Sequence, residues 1–169
     1  MISKINYYFI TLIIFGNTIQ KYRGTWASLF TTLLLFFLIY ILNTPILIIT
    51  FFLILIFFYS FFAIQSSLKD FKNNDPQEIV IDEFVGQSIP IILYEIFHSN
   101  TTNSSIDALQ IYLWFFLLFR LFDGLKPFPI DYIDKKYKNT LGILLDDVLA
   151  GIYVVISLIL FMVAKSNFL

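Results

Sequence analysis

Residues 26–64 include no charged side chain. A helix needs about 20 apolar residues to cross a bilayer, with a range of roughly 17–25. This run is too long for one such helix, and Asn43-Thr44-Pro45 breaks it once. Proline lacks an N–H and biases the residue before it away from helix. The run therefore predicts a helical hairpin, with one span near 26–42 and a second near 45–64. Three further apolar stretches follow at 79–97, 106–122 and 143–164, and Pro90 is expected to kink the first of them. The chain reads as all-α: a polytopic membrane helix bundle of about four to five transmembrane helices, forming a single integral membrane domain over residues 1–169. The short apolar stretch 7–15 has no small-residue cleavage pattern after it. It reads as an N-terminal interfacial or re-entrant segment packed on the bundle.

Composition narrows the chemistry. The chain is 59% hydrophobic and 14% charged, against about 45–50% and about 25% in soluble domains. Eleven basic residues against twelve acidic ones leave no electrostatic footprint for a nucleic acid. With no cysteine there is no thiol nucleophile and no zinc-cysteine site, and one histidine excludes a multi-histidine metal centre. Catalysis is left to carboxylates, hydroxyls, Lys, Arg or a hard metal ion.

Charge also sets the expected topology. Placing Lys21 and Arg23 in the cytoplasm brings Lys69, Lys72, Arg120, Lys126, Lys135, Lys136 and Lys138 to the same side, with Lys165 opposite. Ten of the twelve acids fall on that side as well, all but Glu95 and Asp107. They gather at helix ends: Asp82-Glu83 at the start of the third stretch, Asp123 between Arg120 and Lys126 at the end of the fourth, and Asp146-Asp147 at the start of the fifth. Acids at a helix N-terminus can simply favour the dipole. Here, however, apolar residues flank both pairs on each side, Ile79-Val80-Ile81 with Phe84-Val85 and Ile143-Leu144-Leu145 with Val148-Leu149-Ala150. A charge within a hydrophobic segment costs about 2.5–3.5 kcal/mol on insertion scales and is normally paired and functional. Four carboxylates on two helices need positive charge between them. Arg120 and Lys126 are candidates, and a divalent cation is the better one. Several oxygen ligands suit Mg²⁺ or Mn²⁺, and a neighbouring guanidinium binds phosphate in a bidentate manner. The set resembles a phosphoryl-transfer constellation at a membrane surface.

Three segments carry a closer likeness. Residues 79–87, Ile-Val-Ile-Asp82-Glu83-Phe-Val-Gly86-Gln87, resemble the DEF-(V/I)-G segment of the phosphatidylglycerophosphatase A family. Residues 119–130, with Arg120, Asp123, Lys126, Pro127 and Pro129, resemble its FR-x-x-D-x-x-KP-x-PI segment. Residues 142–151, Gly142-Ile-Leu-Leu-Asp146-Asp147-Val-Leu-Ala-Gly151, resemble its GIM-x-DD-(V/I)-x-AG segment. Gly24-Thr25-Trp26-Ala27-Ser28-Leu29 is similar to the family's PGT-x-GSL, and Asp134 falls where the family has an acid. The chain departs from the pattern at Arg23, Ala27 and Asn139-Thr140, where the family has proline, glycine and a glycine pair.

The resemblance implies a Mg²⁺-dependent lipid phosphatase converting phosphatidylglycerophosphate to phosphatidylglycerol at the bacterial inner membrane, its site facing the cytoplasm. It implies catalytic roles for Asp82, Glu83, Asp123, Asp146 and Asp147, with Asp82, Glu83, Asp146 and Asp147 as metal ligands. Phosphate binding would fall to Arg120, Lys126, Thr25 and Ser28. Whether a carboxylate or a metal-bound water attacks phosphorus is open at this point. A CDP-alcohol phosphotransferase is rejected, because no Ala-Arg follows Asp123-Gly124 at the required spacing. The remaining alternative is a membrane transporter using intramembrane carboxylates, whose acids belong near the bilayer midplane. His98 is expected on the far side, in a structural role.

Overall fold

A computed structural model of the chain describes residues 4–13, 15–16, 22–68, 71, 76–98 and 105–168. Lys21, Lys69 and Lys72, which carry part of the topology argument, lie outside the described residues, as does the whole of the polar loop 99–104. The described residues form helices and connecting turns with no strand among them. The elements are α1 (Lys4–Ile10), α2 (Arg23–Phe36) continued by a π-helical turn (Phe37–Ile41), α3 (Ile46–Ser67), α4 (Ile81–His98), α5 (Ser105–Leu125), α6 (Ile130–Lys136) and α7 (Thr140–Phe168).

Four stretches are long and apolar enough to cross a membrane: Arg23–Ile41, Ile46–Ser67, Ser105–Leu125 and Thr140–Ser166. The expected hairpin turn falls at Asn43, which takes a left-handed conformation (φ 52°), and α3 starts directly after Pro45. The π-helical end of the first span had no signal in the sequence. The third apolar stretch becomes α4, which is not among the four because it carries Asp82, Glu83 and Glu95. Its neighbours are other helices instead: α4 packs on α2, α3, α5 and α7 and buries eleven of its eighteen residues.

The bundle is apolar outside and partly polar within, the inverse of a soluble protein. Leu47, Phe58, Trp114 and Leu160 are all more than 60% exposed, whereas Ser28, Thr31, Thr32, Ser60 and Gln87 are fully buried. Several buried Ser and Thr hydroxyls spend their donors on their own helix, as Thr31 does on the Ala27 carbonyl at 2.9 Å and Ser60 on Ile56 at 2.7 Å. α1 packs on α3 as a short helix. There Asn6 donates to Ser66 at 2.8 Å and accepts from the Tyr59 hydroxyl at 2.8 Å.

The contact between α4 and α7 matters most for function, and two glycines set it. Pro90 has no N–H to give the Gly86 carbonyl, and Gly151 of α7 rests against that carbonyl. A Cβ at Gly151 would collide with it. A Cβ at Gly86 would sit 2.6 Å from the Asp147 carbonyl oxygen and 2.8 Å from the Phe119 ring. Small residues let membrane helices approach backbone to backbone. Gly86 lies one turn after Asp82 and Gly151 one turn after Asp147, so the crossing point brings those two acids together.

Candidate active site

The first turn of α4 supplies Asp82 and Glu83, and the second turn of α7 supplies Asp146 and Asp147. Neighbouring residues on a helix diverge by about 100°, and one acid of the α7 pair joins the two acids of α4. That acid is Asp147. One carboxylate oxygen from each of Asp82, Glu83 and Asp147 lies within 4.8 Å of the others. Asp147 and Asp82 are nearly inaccessible, at 4% and 9% exposure. Glu83 Oε2 and Asp147 Oδ1 are buried with no hydrogen-bond partner among the described residues. A buried carboxylate oxygen left unpaired is costly. Two of them in one cluster of three acids fit a hard divalent cation, which binds carboxylate oxygen.

Asp146 points elsewhere. It accepts from Lys126 Nζ at 2.9 Å, and the same ammonium lies 3.3 Å from Asp134, which also pairs with Lys138 at 2.9 Å. Burial opposes the charge on Lys126, but Asp146 and, beyond it, Asp134 and Asp123 hold its pKa above the usual lysine value. Partial burial likewise opposes ionisation of Asp134, yet Lys138 and Lys126 keep its carboxyl below the usual range. Lys126 itself sits in a left-handed conformation (φ 44°) that ends α5. A non-glycine residue in that region is uncommon, and such strain concentrates at functional sites.

These side chains surround a cavity of about 320 Å³ at the end of the bundle where α2, α4 and α7 begin. Among the described residues six acids line it (Asp82, Glu83, Asp123, Asp134, Asp146 and Asp147) against three basic residues (Arg23, Lys126 and Lys138). A phosphate would be repelled from that surplus of negative charge unless a cation entered with it. The N-terminus of α2 abuts the cavity at Gly24, where a Cβ would collide with the Glu83 carboxylate. A helix N-terminus favours anions.

Not every expected site residue lines the cavity. Arg120 does not; it pairs with Asp123 at 2.8 Å and reaches Ser28 at 3.5 Å, bracing the wall behind. Thr25 and Ser28 are likewise absent from the lining, and the Ser28 hydroxyl donates to the Gly24 carbonyl at 2.8 Å. Asp146 stands with Lys126 rather than within the close group of three. Tyr22 and Tyr137 line the cavity without any sequence signal. His98 bonds the Tyr94 carbonyl at 3.1 Å and stacks on the Tyr94 ring, a structural role. Away from the site, Glu95 accepts from the Tyr40 and Tyr112 hydroxyls at 3.0 and 2.8 Å, a partly buried polar network that the sequence did not reveal.

The profile of the family described as phosphatidylglycerophosphatase A matches residues 8–162. The chain belongs to this family. It is 43% identical over 97 residues to phosphatidylglycerophosphatase A of Haemophilus influenzae, covering 56% of this chain and 52% of that one. It is 32% identical over 104 residues to a Bacteroides thetaiotaomicron protein provisionally named a phosphatidylinositol-3-phosphatase, covering 59% and 55%. Against phosphatidylglycerophosphatase A of Escherichia coli the figures are 30% over 94 residues, 54% and 47%. The chain thus spans about half the length of the curated relatives it matches. No solved structure matches it.

Proposed function

We propose that this member of the family is a lipid phosphatase that hydrolyses phosphatidylglycerophosphate to phosphatidylglycerol and inorganic phosphate, within phosphatidylglycerol and cardiolipin synthesis. The observation that carries the reading is the buried group of Asp82, Glu83 and Asp147 in a cavity that also holds Lys126, at the end of an apolar bundle. In the net reaction a phosphorus–oxygen bond to the lipid glycerol breaks. A water oxygen ends on phosphorus and a water proton on the departing glycerol oxygen. Mg²⁺ held by Asp82, Glu83 and Asp147 would neutralise phosphate oxygens as negative charge shifts during the reaction. Lys126, fixed between Asp146 and Asp134, presents its ammonium to the phosphate. Arg120 holds Asp123 in place at the cavity edge. The N-terminus of α2 adds backbone donors on the facing side.

The test is phosphate release by the purified protein from phosphatidylglycerophosphate, phosphatidic acid and phosphatidylinositol 3-phosphate, with and without a chelator. Phosphatidylglycerophosphate is expected to turn over fastest, and chelation to lower the rate at least about 100-fold, restored by Mg²⁺. Full turnover in excess chelator would remove the metal from the reading. Faster release from the phosphoinositide would move the substrate to the headgroup in the Bacteroides relative's name. A transporter gains no support from this geometry: the acids occupy the first turn of α4 and the second turn of α7, close to one end of the bundle, whereas transport sites lie near the midplane.

The same reading places the protein in the bacterial inner membrane, with the cavity on the cytoplasmic face. Its support is the basic residues that line the cavity, Arg23, Lys126 and Lys138, together with Lys135 and Lys136 of the adjoining α6. In sealed right-side-out vesicles, an impermeant thiol reagent is expected to label Ser105→Cys and to spare Lys136→Cys. Labelling of Lys136→Cys alone would invert the bundle.

A further inference from the structure

On the side of α6 and α7 turned away from the cavity lies a second, apolar space. It is a groove of about 580 Å³ bounded by Phe128, Tyr132, Ile133, Tyr137, Leu141 and Leu145, within the range of small-molecule sites. Both of its walls are shared with the cavity. On α7, Gly142 and Asp146 line the cavity while Leu141 and Leu145, one residue earlier in each turn, line the groove. On α6, Asp134 faces the cavity while Tyr132 and Ile133 face the groove. Tyr137 belongs to both and forms the partition between them. The groove is open to the surroundings of the bundle: Phe128 is 79% exposed, Leu141 50% and Tyr132 48%. Leu141 and Leu145 fall in the first turns of a candidate membrane span. An apolar cleft at the mouth of a span, one residue width from a charged cavity, matches a molecule with a phosphorylated head and a hydrocarbon tail.

We infer that this groove holds an acyl chain of the phospholipid whose phosphate occupies the cavity, so that Tyr137 lies beside the glycerol joining the two. The inference rests on the phosphatase reading and names the part of the substrate that the groove selects. A second apolar groove, between α3 and α4 and lined in part by Phe58, shares no residue with the cavity and is the natural comparator.

The experiment compares kcat/KM for phosphatidylglycerophosphate with long acyl chains and with six-carbon chains, in the same mixed micelles. Leu141→Trp, which fills the groove from a half-exposed position, is expected to lower the long-to-short ratio by about tenfold, mostly through KM; that is the effect of exposing roughly two methylenes to water. Tyr132→Ala removes the opposite wall, leaves α7 untouched and is expected to shift the ratio in the same direction. Phe58→Trp is expected to keep the parental ratio. A parental ratio in both groove variants, with phosphate still released from both substrates, overturns the inference and leaves the phosphatase reading standing. An equal fall with Phe58→Trp also overturns it. No release from either substrate by the unmodified protein overturns the phosphatase reading, and the inference with it.

Discussion

Asp147→Asn, Asp82→Asn and Glu83→Gln are each expected to lower phosphate release by about 10²–10⁴-fold, the usual cost of losing one ligand or proton-transfer group. The substitutions keep the side-chain volume and remove one negative charge. The three carboxylates lie within 4.8 Å of one another, and two of their oxygens are buried without a partner. Mutual repulsion in such a cluster destabilises the fold unless a cation offsets it. Neutralising one acid should therefore leave thermal stability in metal-free detergent unchanged or higher while turnover collapses. Rate and melting temperature moving in opposite directions would mark a site built for chemistry. Near-parental rates in all three variants would leave these acids a structural role at the helix ends.

Gly86→Ala is expected to damage both stability and turnover. Its Cβ would lie 2.6 Å from the Asp147 carbonyl oxygen, a backbone atom that cannot swing aside as a side chain does. Helix α4 must then move off α7, at a cost of about 1–3 kcal/mol as in other overpacked cores. The same movement withdraws Asp82 and Glu83 from Asp147. Gly124→Ala is the comparison, since nothing lies within 4 Å of its Cβ position. On helical propensity alone it should be neutral or stabilising by about 0.5–1 kcal/mol. Thermal unfolding in detergent, read beside phosphate release, separates the two. Equal stability and rate in Gly86→Ala would show that the close approach of these helices does not position the acids.

Much of the architecture was legible in the chain, because hydrocarbon thickness acts on length and polarity alone. The break at Asn43-Thr44-Pro45 became the hairpin turn, and four of the five apolar stretches became helices of spanning length. The remaining one, the third stretch that forms α4, was legible as a helix but not as the buried centre of the bundle. Its three acids lower its hydropathy, and only neighbouring helices supply its surroundings. The placement of Thr25, Ser28 and Arg120 relative to the cavity was the least legible, since a motif gives residue order but not the direction of a side chain. In the fold Ser28 bonds its own helix and Arg120 braces Asp123.

The sequence by itself determined that the chain is a membrane bundle and that its acids collect at one end. Both follow from local terms: the transfer cost of each residue and its distance along the chain from a span's end. Which acids meet was decided only by tertiary structure. Asp146 and Asp147 are chemically identical neighbours, and no local property separates them. Their directions differ by about 100° around α7, and the backbone contact at Gly86 and Gly151 sets which of the two faces α4. Asp147 therefore joins Asp82 and Glu83, while Asp146 is left to Lys126. That contact depends on residues far apart in sequence, so its outcome appears only once the helices pack.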